Sequence, residues 1–217
     1  MTTGLGPFWS RSGVLFVKAD AATVGPSESL PAIKAQGYGW VAFDPKTGEW
    51  LDERLLASMN GLDVVTWTRV RTLTDLDTLL MAQKRWQAKA IMPNVEIPDT
   101  RDVTLMFAVA KAFSTVGRGV IVTDGWRDPI GAWTPVRRWI ISPECFPEED
   151  IRYTDVAGCV GHAAAAGTRS SLPCLGAYGT KWKGRLPVRA DFEWPKGSPF
   201  IVFPGDTVTD WRDWSAT

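Results

Sequence analysis

The chain has 217 residues, 24 Lys+Arg against 24 Asp+Glu, and a 45% hydrophobic share, which together describe a globular protein and exclude a disordered one. Zero formal net charge gives no general pull toward nucleic acid or an anionic membrane surface. Three cysteines without a CxxC pair (Cys145, Cys159, Cys174) and a single histidine, His162, exclude a disulfide framework and argue against a zinc site. Tryptophan, normally scarce, occurs twelve times.

Met1–Pro7 lacks the basic and apolar segments of a signal peptide, and every apolar run falls well short of the roughly 20 residues that span a bilayer. The expectation is a soluble protein made in a cytoplasm, with release by lysis or packaging into a virion left open.

Eight short runs rich in Val, Ile and Phe, bounded by Gly, Pro, Asp or Asn, predict strands. They are Gly13–Asp20, Gly39–Asp44, Asp63–Arg69, Ala90–Glu96, Gly119–Asp124, Trp139–Glu144, Leu172–Tyr178 and Pro199–Phe203. Helix signals fall between them. Ser27–Gln36 stops at Gly37 and Asp52–Asn60 at Gly61. Thr74–Gln87 puts Leu76, Leu79 and Leu80 on one side, and Thr100–Phe113 repeats apolar residues at helical spacing. Pro147–Asp150 is an acidic helix start, Asp155–Ala166 stops at Gly167, and Asp206–Trp214 reads as a short terminal helix. Residues 125–138 leave room for a loop and one turn.

Successive strand ends are spaced by roughly 25 residues, the cadence of repeated βα units with right-handed crossovers. The prediction is a single domain over residues 1–217, a small (β/α)8 TIM-like barrel; the competing reading is an open doubly wound sheet with fewer strands.

In such a barrel the functional groups sit at the C-terminal strand ends. Those ends carry Asp20, Asp44, Arg69, Glu96, Asp124, Glu144 and Tyr178, with Asp206 just beyond the eighth. Strand-end acids also serve as solvated caps, but alternation puts Asn94 beside Glu96, Lys18 beside Asp20 and Ser142 beside Glu144 on one face of their strands. Polar residues two deep on an apolar strand go beyond capping. Paired carboxylates around a cleft are the equipment for glycoside hydrolysis, one as proton donor and one as base or nucleophile. Trp67, Trp126 and Trp182, near the predicted mouth, offer flat apolar faces for a sugar ring, whereas Trp40, Trp86, Trp139, Trp211 and Trp214 read as packing residues.

The fourth run, Ile91-Met92-Pro93-Asn94-Val95-Glu96, resembles the apolar-run-then-D-x-E motif of the phage and fungal (Chalaropsis-type) lysozymes, barrel glycosidases acting on peptidoglycan. Asp20 at the end of the first run, and the passage from Leu30 through Gly37 to Val41, are similar to the opening of that family. The resemblance covers about the first half of the chain. It implies Glu96 as general acid, with Asp20, Asp124 or Glu144 as second carboxylate, no cofactor, and a polysaccharide or peptidoglycan ligand. Asn94 stands where the family has aspartate, and the family's first-strand G-x-D-x-S pattern is missing. Asparagine exchanges no proton, so Asn94 is expected to hold a substrate hydroxyl or acetamido group, with Asp44, Arg69 and Tyr178 as further substrate contacts. Tyr178 also replaces the glutamate that many barrel glycosidases carry on the seventh strand. The alternative is a barrel without catalysis, serving as a virion or tail component or a cell-wall-binding module, with virion or homo-oligomer partners.

His162 lies in a small-residue helix far from the strand ends, and Cys145 has no histidine near it to make it a nucleophile. The basic Gly179–Arg185 loop and Gly205-Asp206-Thr207 leave a phosphosugar enzyme conceivable, but no glycine-rich phosphate cradle, Walker A or G-x-S-x-G motif occurs.

Overall fold

The computed structural model describes residues 5–16, 29–45, 61–95, 103–116, 119–123, 140–148, 155–165, 170–180, 183–204 and 211–217. Its framework is a curled parallel sheet. The strands are β1 (Gly13–Phe16), β2 (Trp40–Phe43), β3 (Asp63–Val70), β4 (Ala90–Val95), β5 (Val120–Thr123) and β6 (Ile140–Cys145), followed by β7 (Ser170–Ser171), β8 (Cys174–Gly176) and β9 (Ile201–Phe203). Their order is β5-β4-β3-β2-β1-β9-β8-β6-β7, and β5 pairs with β6 as well as with β4. All pairings are parallel. The helices are α1 (Gly6–Trp9), α2 (Ser29–Ala35), α3 (Leu73–Arg85), α4 (Val103–Val116) and α5 (Val156–Ala165), and single 3-10 turns cover Arg189–Asp191 and Trp211–Trp214.

The near-continuous burial of the strands, unbroken in β1, β2 and β4, follows from a parallel sheet covered on both faces. Register sorts their residues into two sets. Leu15, Ala42, Val65 and Ala90 are successive partners on one face, and Arg69, Asn94, Val122 and Ser142 continue that face nearer the C-terminal ends. The opposite face receives the helices: Val70, Ile91, Val95 and Ile141 cluster with Leu76 and Leu79 of α3 and with Leu105, Met106 and Val109 of α4.

Local sequence accounts for the ends of these elements. α3 begins one residue earlier than its periodicity predicts because Thr72 caps it: the Thr72 hydroxyl accepts from the Asp75 N–H while the Asp75 carboxylate accepts from the Thr72 N–H. It ends two residues early, at Arg85, where Gln87 takes a positive φ of 51°. The seventh run, Leu172–Tyr178, holds only the short β8, and β7 lies just before it; Pro173, which has no N–H, stands between the two. The terminal helix is reduced, among the described residues, to the 3-10 turn at Trp211–Trp214. Helix α1 has no forerunner among the predicted elements. It packs Trp9 edge-on against Trp40 at 5.3 Å, beside the start of the sheet. The expected helix at 52–60, the 125–138 connection and the acidic start continuing to Asp150 lie outside the described residues in whole or in part.

Candidate functional site

The polar end of the sheet is built on β3, β4 and β6. Arg69, Asn94 and Ser142 lie on one face, joined through Val122, and Glu144 follows Ser142 by two residues and returns to that face. Asn94 is 2% exposed, and its Nδ2 donates to Glu144 Oε1 at 3.3 Å. Two residues fifty apart in sequence are thus brought together at the C-terminal end of the strands. Glu144 is half-buried, and Arg69 is exposed at the rim.

Beneath this pair the face turns apolar, with Trp67, Met92 and Ile140, apart from Ser142 directly below Glu144. Ser142 is fully buried, and among the described residues neither its Oγ nor the buried Trp67 Nε1 on β3 has a hydrogen-bond partner. A buried polar atom left unsatisfied costs about 1–3 kcal/mol. Trp67 itself corrects an expectation: at 6% exposure it belongs to the core, beside Met92, and does not present a free ring to a sugar. Parallel register puts it one step deeper than the Arg69–Asn94 pair, where the strand is still covered.

Asp44, just past β2, is buried and accepts a 2.7 Å hydrogen bond from Thr68 Oγ1. Thr68 partners Pro93, on the face opposite Arg69, so this carboxylate ties two strand ends together. Tyr178 is half-buried within an aromatic cluster. Its ring meets Phe146 edge-on at 5.5 Å and Phe203 at 5.4 Å, while Phe146 and Phe203 stack at 5.3 Å. The cluster sits at the C-terminal ends of β6, β8 and β9, and Gly176 makes room for it, since a Cβ there would come within 2.8 Å of Phe146 and 3.1 Å of Tyr178. Phe146 and Phe203 are aromatic residues at the C-terminal strand ends that the residue pattern alone did not single out. Their position two and zero residues past predicted strand ends was the available signal.

All three cysteines are buried, on β6 (Cys145), α5 (Cys159) and β8 (Cys174). Burial pushes the Cys145 thiol well above its usual range, with the neighbouring Cys159, Cys174 and Glu144 adding to it; the Cys174 thiol is raised by burial and by Glu144. A protonated, enclosed thiol is a packing group and not a nucleophile.

Asp20, Glu96, Asp124, Trp126, Trp182 and Lys18 lie outside the described residues. No group of three or more His, Cys, Asp or Glu side chains among the described residues is arranged to hold a metal ion. No described helix is long and apolar enough to cross a membrane. The chain matches no protein-family model, and no curated protein matches it.

Proposed function

We propose that the chain is a (β/α)8 barrel of the glycoside-hydrolase type, acting on or binding a polysaccharide at the C-terminal ends of its strands. The observation that carries this reading is the Asn94–Glu144 pair, a carboxylate and a carboxamide held against each other above buried, unsatisfied polar atoms. The eight-run cadence and the β5–β6 and β1–β9 pairings support a complete barrel.

Roles follow from chemistry. The amide N–H of Asn94 on Oε1 suits an ionised Glu144, which makes Glu144 the base or nucleophile. Glu96, two residues beyond Asn94 in sequence, takes the part of the acid that protonates the leaving glycosidic oxygen. Asp20 and Asp124 are further carboxylates that the sequence puts at predicted strand ends. Ser142 Oγ supplies a hydroxyl for the sugar, and Arg69 borders the entrance.

The replacement of an aspartate by Asn94 favours a second reading, a barrel that retains glycan binding without turnover, as in a virion component or cell-wall-binding module. Turnover of peptidoglycan and of chitin oligosaccharides, measured beside equilibrium binding, separates the two. Hydrolysis lost by about a thousandfold in both Glu96→Gln and Glu144→Gln, with binding retained, supports the enzyme. Saturable binding without turnover by the unaltered protein supports the binding module. Neither turnover nor binding on either glycan would overturn both readings.

A further inference from the structure

At the opposite end of the sheet a cavity of about 390 Å³ opens against the residues that precede β9. Phe200, at its floor, immediately precedes Ile201, so the cavity belongs to the N-terminal ends of the strands and is separate from the Asn94–Glu144 site. Its walls include Arg189, Trp194, Lys196, Arg212 and Asp213, three cationic side chains to one carboxylate side chain.

Arg189 is the central group. Its Nη1 donates to the Phe192 carbonyl at 3.2 Å and its Nη2 to the Trp194 carbonyl at 2.7 Å, and the guanidinium lies 5.0 Å from the centroid of the Phe200 ring. The fork is therefore fixed in place by backbone and by an aromatic face, with N–H groups left over from its five. No carboxylate among the described residues forms an ion pair with it. A half-buried cation without a counter-charge is costly, and burial accordingly draws the Arg189 pKa down. The loop that carries it is itself clamped. Asp191 accepts two 2.7 Å bonds from Arg185, one at 3.0 Å from Lys183 Nζ and one at 2.9 Å from the Val188 N–H. Trp194 is held too, its Nε1 donating to the Pro199 carbonyl at 3.2 Å. Lys196 is exposed at the rim and makes no hydrogen bond or ion pair among the described residues.

We propose that this cavity binds a small organic anion with a flat apolar body, its acidic group on Arg189 and Lys196 and its ring beside Trp194 and Phe200. The cavity volume falls within the range of small-molecule sites, and a fixed guanidinium fork matches a phosphate or carboxylate. Held rigidly before the ligand arrives, these groups lose little further freedom on binding.

The test uses the full chain with phenyl phosphate, inorganic phosphate and phenol as probes, followed by calorimetry and by the indole N–H resonances, with Trp194→Phe identifying that of Trp194. The expected result is saturable one-site binding of phenyl phosphate that moves the Trp194 indole signal, with each half of the molecule binding at least tenfold more weakly. Lys196→Glu, at an exposed position that leaves the fold intact, is expected to weaken phenyl phosphate about tenfold, and Arg189→Lys more than that. Absence of saturable binding at millimolar phenyl phosphate overturns the proposal. So does an affinity unchanged in Lys196→Glu, whether or not Arg189→Lys folds, or inorganic phosphate binding as tightly as phenyl phosphate.

Discussion

Gly13→Ala is the sharpest test of how the N-terminal end of the sheet is packed. Gly13 partners Trp40 across the β1–β2 ladder, and the Trp40 ring lies over the glycine, so that an added Cβ would overlap its fused-ring carbons. Trp40 has nowhere to retreat. It is fully buried, stacks with Phe8 at 6.3 Å, meets Trp9 edge-on at 5.3 Å, and donates from Nε1 to the Arg11 carbonyl at 3.0 Å. Overpacking of this kind costs about 1–3 kcal/mol. Displacing the ring strands the indole N–H, for about 1–3 kcal/mol, and loosens the aromatic contacts, for about 1 kcal/mol. Since the ring escapes some of these penalties by accepting others, about 4 kcal/mol is the expected loss, a large share of the 5–15 kcal/mol that typically holds a domain together. Urea denaturation followed by circular dichroism measures it, and a second variant isolates its cause. Trp40→Leu removes the obstructing ring, so the Gly13→Ala/Trp40→Leu double variant should be more stable than the sum of the single losses by about 2 kcal/mol. A loss below about 1 kcal/mol for Gly13→Ala, or strict additivity in the cycle, would refute the steric argument.

Two further outcomes are expected from the charged and sulfur groups. Burial raises the Asp191 carboxyl, but the hydrogen bonds from Arg185, the Val188 N–H and Lys183 outweigh it and hold this acid well below the usual carboxylate range. A depressed pKa contributes stability above the unfolded value of about 3.9 and loses it as pH falls toward the folded value. Asp191→Asn should therefore cost about 1 kcal/mol at pH 7, limited by the half-exposed cations, and the gap should close below about pH 4. A pH-independent gap in urea titrations would contradict this. The raised thiols of Cys145 and Cys174 carry the opposite sign: their contribution is present below about pH 8.5, the unfolded value, and fades as pH rises beyond it. Ellman's reagent should label these two only as fast as the protein unfolds; rapid labelling of the folded chain at pH 8 would show that they are not enclosed.

The alternation of apolar runs with helical stretches was enough to place parallel βα units, because a strand buried on both faces must be apolar throughout and must be bounded by residues that leave it. The ends of α3 needed more. Thr72 and Asp75 outbid the hydrophobic period by satisfying free N–H groups, a local rule that the chain does carry. Pro173, too, stood in plain view near the start of the seventh run, where β8 begins only after it.

Residue type and alternation also marked Asn94 and Glu144 as facing the same space. That they touch was decided by sheet curvature and register, which bring β4 and β6 to either side of β5. The same register took Trp67 away from the mouth, since being near a strand end in sequence does not fix depth in a curled sheet. The Arg189 cavity was invisible beforehand: its walls come from a loop, the start of β9 and the residues around Trp211–Trp214, segments with no shared period. The sequence by itself determined which residues can be buried in strands and helices, because hydropathy and backbone preference act locally. Only the tertiary structure decided which polar groups face one another, because those contacts depend on where distant strands come to lie.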